Sequence, residues 1–156
     1  MNIYIGCSGF SYKHWKERFY PSKIPQRQWF EYYCTKFNTV ELNSTFYRLP
    51  NEKTVISWYN RSPENFAFSV KASRFITHIK RLRDCKVELE NFFEVISQLD
   101  KKLKVILWQL PPGFKVNIEV FNDFLNILTK YNNIKNVFEF RHKSWVTEDI
   151  YSLCKK

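Results

Sequence analysis

Apolar residues recur along this chain in two rhythms, a period of two over short stretches and a spacing of three and four over longer ones. Asn2 to Ser8 reads as a buried strand that ends in a small-residue turn from Gly6 to Gly9. Gln26 to Lys36, with Trp29, Phe30, Tyr32 and Tyr33, predicts a helix leading into a second strand, Asn38 to Asn43. A capped helix is expected from Asn51 to Asn60, carrying Val55, Ile56 and Trp58 and broken at Ser62 and Pro63. Phe66 to Lys71 alternates as a third strand. Leu89, Phe92, Phe93, Ile96 and Leu99 mark an amphipathic helix over Val87 to Leu99. Lys104 to Leu110 is a fourth strand stopped by Pro111 and Pro112. It is followed by a helix from Ile118 to Tyr131, with Val120, Phe121, Phe124, Leu125 and Leu128 on one face. The fifth strand begins near Asn136 and runs to His142.

Strands alternating with helices predict parallel pairing through right-handed crossovers, hence an α/β protein. An open doubly wound sheet and a closed barrel both satisfy that order. Side-chain parity favours the barrel. If Val40 and Leu42 face the helices, Glu41 and Asn43 face inward, and the same alternation turns Ser69, Lys71, Gln109, Glu139 and Arg141 inward. In an open sheet both faces carry helices, which leaves no room for charge. Phe138 and Phe140 then share one face of the last strand, with Glu139 and Arg141 as an inward, desolvated ion pair on the other. Gly6 to Phe10 lacks the three-glycine spacing of a dinucleotide loop.

With 156 residues, 44% of them hydrophobic, the chain suffices for one domain with a real core, and neither linker nor repeat divides it. Nothing in it approaches the roughly 18 apolar residues of a membrane span, and the N-terminus lacks a secretory pattern, so a cytoplasmic protein is expected. Cys7, Cys34, Cys85 and Cys154 lie far apart, which favours reduced thiols over disulfides or zinc. The formal charge of +10 raises the case for an anionic partner, although 17 of the 25 basic residues are lysine, as a general residue-usage bias would also produce.

Several blocks occur in order: Gly6 to Tyr12 with Trp15 and Phe19 to Pro21, Val40 to Arg48, Ile76 to His78, Gln109 to Pro112, and Phe138 to Trp145. In these blocks the chain resembles the YecE-like family, domain of unknown function seventy-two. The resemblance implies a (β/α)8 barrel of the TIM type and no assigned reaction. Phe10 stands where tryptophan is common in that family, and Glu17 where glycine often stands. A full barrel needs about 200 residues or more, so residues 1–156 are expected to form one barrel domain truncated after about five βα units. The remaining wall would then be missing, or supplied by another chain or a neighbouring reading frame. The fifth strand's free edge invites self-association or a complementing chain.

In barrel enzymes the C-terminal strand ends build the active site. Here those ends offer Ser8, Tyr12, Glu41, Asn43, Ser44, Tyr47, Lys71, His78, Arg81, Gln109, Glu139, Arg141, His142 and Trp145. Glu41 and Glu139 are the candidate proton-transfer groups, with an interior salt bridge as the alternative for each. Lys71 and Arg141 would hold negative charge, and His78 and His142 would shuttle protons or bind a metal. Gln109 would donate to a ligand or cap the Pro111–Pro112 turn. Ser8, Tyr12, Asn43, Tyr47 and Trp145 would complete a polar cup with aromatic walls. The function expected is binding of a small polar or anionic ligand, with acid/base or metal-assisted hydrolysis or isomerisation. Nucleic-acid binding and an inactive remnant are the alternatives. The sequence identifies neither a cofactor nor a metal.

Overall fold

The computed structural model describes residues 3–155. Five parallel strands stand in chain order, β1 (Gly6–Cys7), β2 (Thr39–Leu42), β3 (Ala67–Lys71), β4 (Leu103–Gln109) and β5 (Lys135–Glu139). Helices α1 (Trp29–Cys34), α2 (Ser44–Tyr47), α3 (Glu52–Arg61), α4 (Lys86–Ile96), α5 (Ile118–Leu128) and α6 (Glu148–Cys154) connect and follow them.

Burial alternates as the sequence pattern requires. Val40, Leu42, Phe68, Val70, Ile106, Trp108 and Leu110 are buried, while Glu41, Ser69, Lys71, Val105, Leu107 and Gln109 between them are half-buried. Leu89, Phe92, Phe93 and Ile96 of α4 and Phe121, Phe124 and Leu128 of α5 meet the first face. Each such side chain contributes about 2 kcal/mol by leaving water, so one face of the sheet is committed to the helices and the polar strand residues stand on the other. Asn51, Asn117 and Thr147 cap α3, α5 and α6, each accepting from the backbone N–H three residues on.

The first strand is shorter than its apolar run. Only Gly6 and Cys7 pair with β2, and Ile3, Tyr4 and Ile5 are exposed; Met1 and Asn2 lie outside the described residues. The Asn38 side chain takes the place of ladder partners there, accepting from the Ile5 N–H at 2.8 Å and donating to the Ile3 carbonyl at 2.9 Å. β5 also ends early, at Glu139, although the Leu110 N–H still reaches the Glu139 carbonyl at 3.0 Å.

Candidate functional site

The register of the sheet fixes how the inward residues stand to one another. Glu41 is level with Ser69 and Val105, Lys71 is one repeat further on beside Leu107 and Val137, and Gln109 and Glu139 are level another repeat on. The expected parity therefore appears in the structure, but the polar residues are staggered. Glu41 and Glu139 are three strands and four residues apart, roughly 20 Å on a flat sheet at ~4.8 Å per strand and ~3.3 Å per residue.

At the β4–β5 end, Gln109 Nε2 donates to Glu139 Oε2 at 2.8 Å, and Arg141 Nε lies 3.7 Å from Glu139 Oε1. The side chains of Arg141 and Glu139 are 47% and 44% exposed, which corrects the expectation of a desolvated ion pair. Arg141 lies past the last paired residue, so its chain swings into water. An ion pair so exposed is worth little.

Convergence occurs instead beyond β3. The chain leaves Lys71 through Ser73 and Arg74 into a π-helical turn, Phe75–Ile79, which presents His78. Lys71 Nζ lies over the Phe46 ring at 4.8 Å, and the His78 ring meets the same phenylalanine edge-on at 5.0 Å. Burial lowers the His78 pKa below its ordinary value, and the charges of Lys71, Arg74 and Arg141 lower it further. Lys71 and His78 thus meet on one phenylalanine ring. Among the described residues neither Lys71 nor Arg74 is paired with a carboxylate.

The other expected residues distribute unevenly. Ser8 contributes its carbonyl, which accepts from the Tyr12 hydroxyl and from Asn43 Nδ2 at 3.3 Å. Asn43 Oδ1 is sealed from solvent without a partner among the described residues. Tyr47 is exposed, and Arg81 is exposed with a positive φ of 49°. His142 caps the turn Lys143–Trp145, its Nδ1 accepting from the Ser144 N–H at 3.1 Å. Trp145 is a correction: it is 1% exposed, donates from Nε1 to the Phe114 carbonyl at 2.6 Å and stacks on Phe140 at 4.9 Å, so it belongs to the helix-side core and not to the inward face of the sheet. Two cavities, about 790 Å³ and 1150 Å³, lie elsewhere, beside Asn38 and Lys101 and between α5, α6 and β5. Among the described residues no three His, Cys, Asp or Glu side chains are grouped to hold a metal, and no helix is long and apolar enough to cross a membrane. Arg74, Phe46 and Thr77 were missed as site residues, although Thr77 and Phe46 fall inside two of the blocks that carry the resemblance.

Comparison with known proteins accounts for those blocks. The model of a family described as "Protein of unknown function DUF72" matches residues 4–156. The chain belongs to the DUF72 family. It is 30% identical over 155 residues to UPF0759 protein YunF of Bacillus subtilis, covering 96% of this chain and 54% of that protein. It is 31% identical over 112 residues to UPF0759 protein YecE of Escherichia coli, covering 72% of this chain and 39% of that one. The chain thus spans about half the length, or less, of these curated relatives. A DUF72 crystal structure from Thermotoga maritima superposes with a TM-score of 0.79 at 34% identity, over 96% of this chain and 60% of that one. A DUF72 structure from Enterococcus faecalis gives 0.71 at 22% identity, covering 97% of this chain and 56% of that one, which extends the agreement in fold.

Proposed function

We propose that this DUF72 chain binds a small oxyanion beyond the C-terminal end of β3, where Lys71 and His78 meet on the Phe46 ring, with Arg74 in the same loop and Arg141 beyond β5 as further cations. The observation that carries this reading is the meeting of Lys71 Nζ and the His78 ring on one phenylalanine, Phe46, at 4.8 and 5.0 Å, with neither Lys71 nor Arg74 paired with a carboxylate among the described residues. Unpaired charges gathered at one place repel, and an anion relieves that repulsion while gaining charge-assisted hydrogen bonds. Gln109 donates to Glu139, which lies 3.7 Å from Arg141; Asn43 donates to the Ser8 carbonyl. Glu41 lies one level deeper, beside Ser69. The five units are read as one arc of a (β/α)8 barrel, a reading supported by their sequential parallel order, the inward polar parity and the family resemblance.

Titration of the full chain with inorganic phosphate, followed by amide chemical shifts, tests the proposal. Shifts should concentrate at Lys71 to His78 and at Arg141, and Lys71→Met or Arg141→Met should each weaken binding roughly tenfold. Unchanged affinity in both variants would remove the assignment. The formal charge of +10 supports nucleic-acid binding as a second reading. It requires affinity that falls linearly with the logarithm of salt concentration, and failure to bind a polyanion column at low salt would eliminate it.

A further inference from the structure

The sheet is well covered in its interior and bare at both edges. Trp108 on β4 and its register partner Phe138 on β5 face the same helix layer, yet Trp108 is fully buried and Phe138 only half-buried. The same step occurs at the other end of the sheet, where Val40 on β2 is fully buried and its partner Cys7 on β1 is half-buried. Ile3 and Ile5, just before that pair, are 70% and 65% exposed. Each edge thus lacks the neighbour that seals the same layer further in.

Beyond β5 the bare surface has a definite shape. Phe138 and Phe140 share the lining of a groove of about 1150 Å³ with Val146, Ile150 and Tyr151. On the inward face Leu107 is level with Val137, which is 37% exposed. Parallel sheets are ordinarily covered on both faces, so an occupant has to pair with the β5 backbone as well as fill the groove. A lipid tail or a small apolar ligand would fill the groove and leave the backbone edge bare. A strand followed by a helix satisfies both. A second copy of this chain could offer such a unit, but it brings five more strands and a further net charge of +10. The relatives point to a better match. Nearly half of the Bacillus subtilis protein and two fifths of the Thermotoga maritima chain lie outside the region this chain covers. The five strands here are three short of an eight-stranded barrel. Because they follow one another in chain order, added parallel units extend the sheet from β5 and close it at β1.

Resting on the barrel-arc reading above, we propose that the β5 edge with its groove, together with the β1 edge, is the docking surface for a second polypeptide made of parallel βα units like the uncovered part of the relatives. That polypeptide bridges β5 to β1 and closes the sheet.

Production of the full chain together with the uncovered segment of the Thermotoga maritima protein tests this, with a tag on the chain to report capture and hydrogen exchange to report the contact. One-to-one capture is expected, with slowed exchange at the amides of Ile5 to Cys7 and of Lys135 to Glu139. Val146→Lys with Tyr151→Lys changes two exposed side chains of the groove. The pair should abolish capture and leave the far-ultraviolet spectrum of the chain alone unchanged. In a second format the segment is joined to the end of the chain by a flexible linker, which removes any limit set by concentration, and the same amides should be protected. Protection at β5 without protection at β1 would keep the docking edge and overturn closure, and with it the barrel-arc reading. Absence of protection at β5 in both formats, or capture that survives both lysines, would overturn the docking surface and leave the barrel-arc reading standing.

Discussion

Two residues show how local chemistry is spent on structure and where it is not optimal. Lys102 is 4% exposed, and its Nζ donates to the carbonyls of Tyr59 and Ser62 at 2.7 and 2.8 Å and to Ser62 Oγ at 2.9 Å. Those carbonyls end α3, where backbone acceptors lack intrahelical partners and a cation is favoured. Replacing Lys102 by Met would fill the space and orphan the acceptors, so urea denaturation should show a loss of roughly 3 kcal/mol. Glu17 is the opposite case. Its φ is 64°, a left-handed conformation that strains any side chain. The turn is fixed by the Glu17 N–H donating to the Tyr20 carbonyl at 2.8 Å. Glu17→Gly should raise the unfolding free energy by up to about 1 kcal/mol with an unchanged denaturant slope.

Among the elements, those with strong periodicity were legible in the sequence and those held by side-chain substitutes were not. Helix α4 begins at Lys86, one residue before its expected start, because Leu89, Phe92, Phe93 and Ile96 can all be buried only on a helix. In α5 the apolar run ends at Leu128, three residues short of the expected end, since Thr129 to Tyr131 tighten into a 3-10 turn. Inward parity was legible for the same reason, as a strand has only two faces. Convergence on His78 was not, because a π-helical turn after β3 and a sheet stagger set by the β3–β4 register shift leave no periodic trace. Trp145 was misplaced because strand alternation does not continue past Glu139. The shortest strand rests on one close approach. A Cβ on Gly6 would fall on the Thr39 carbonyl, within 2.7 Å of its carbon. The Tyr33 hydroxyl ties the same pair of strands, accepting from the Cys7 N–H at 2.7 Å and donating to the Thr39 carbonyl at 2.9 Å. Gly6→Ala should therefore detach β1, seen as lost hydrogen-exchange protection at Cys7 and a stability loss of about 2 to 3 kcal/mol.

At the scale of the whole molecule, two forces oppose each other along β5. Its outer edge carries unpaired backbone groups, and the adjoining groove of about 1150 Å³ between α5 and α6 is lined by Leu125, Phe138, Phe140, Val146 and Ile150. Val146 is 82% exposed and Tyr151 58%. An open parallel edge beside an apolar groove is a template for a second strand. The formal charge of +10 works against association, because two copies repel over the ~10 Å Debye length of 0.1 M salt. Salt screens the repulsion and leaves the apolar contact intact, so the isolated chain should associate more strongly as salt rises, opposite to the salt dependence of any polyanion complex. Sedimentation velocity over a concentration series at low and high salt measures this directly. Val137→Lys combined with Val146→Lys should abolish the association, because charge is placed beside the free edge and in the groove without disturbing the buried face of β5. Association that weakens with salt, or that survives both lysines, would place the contact elsewhere on the molecule.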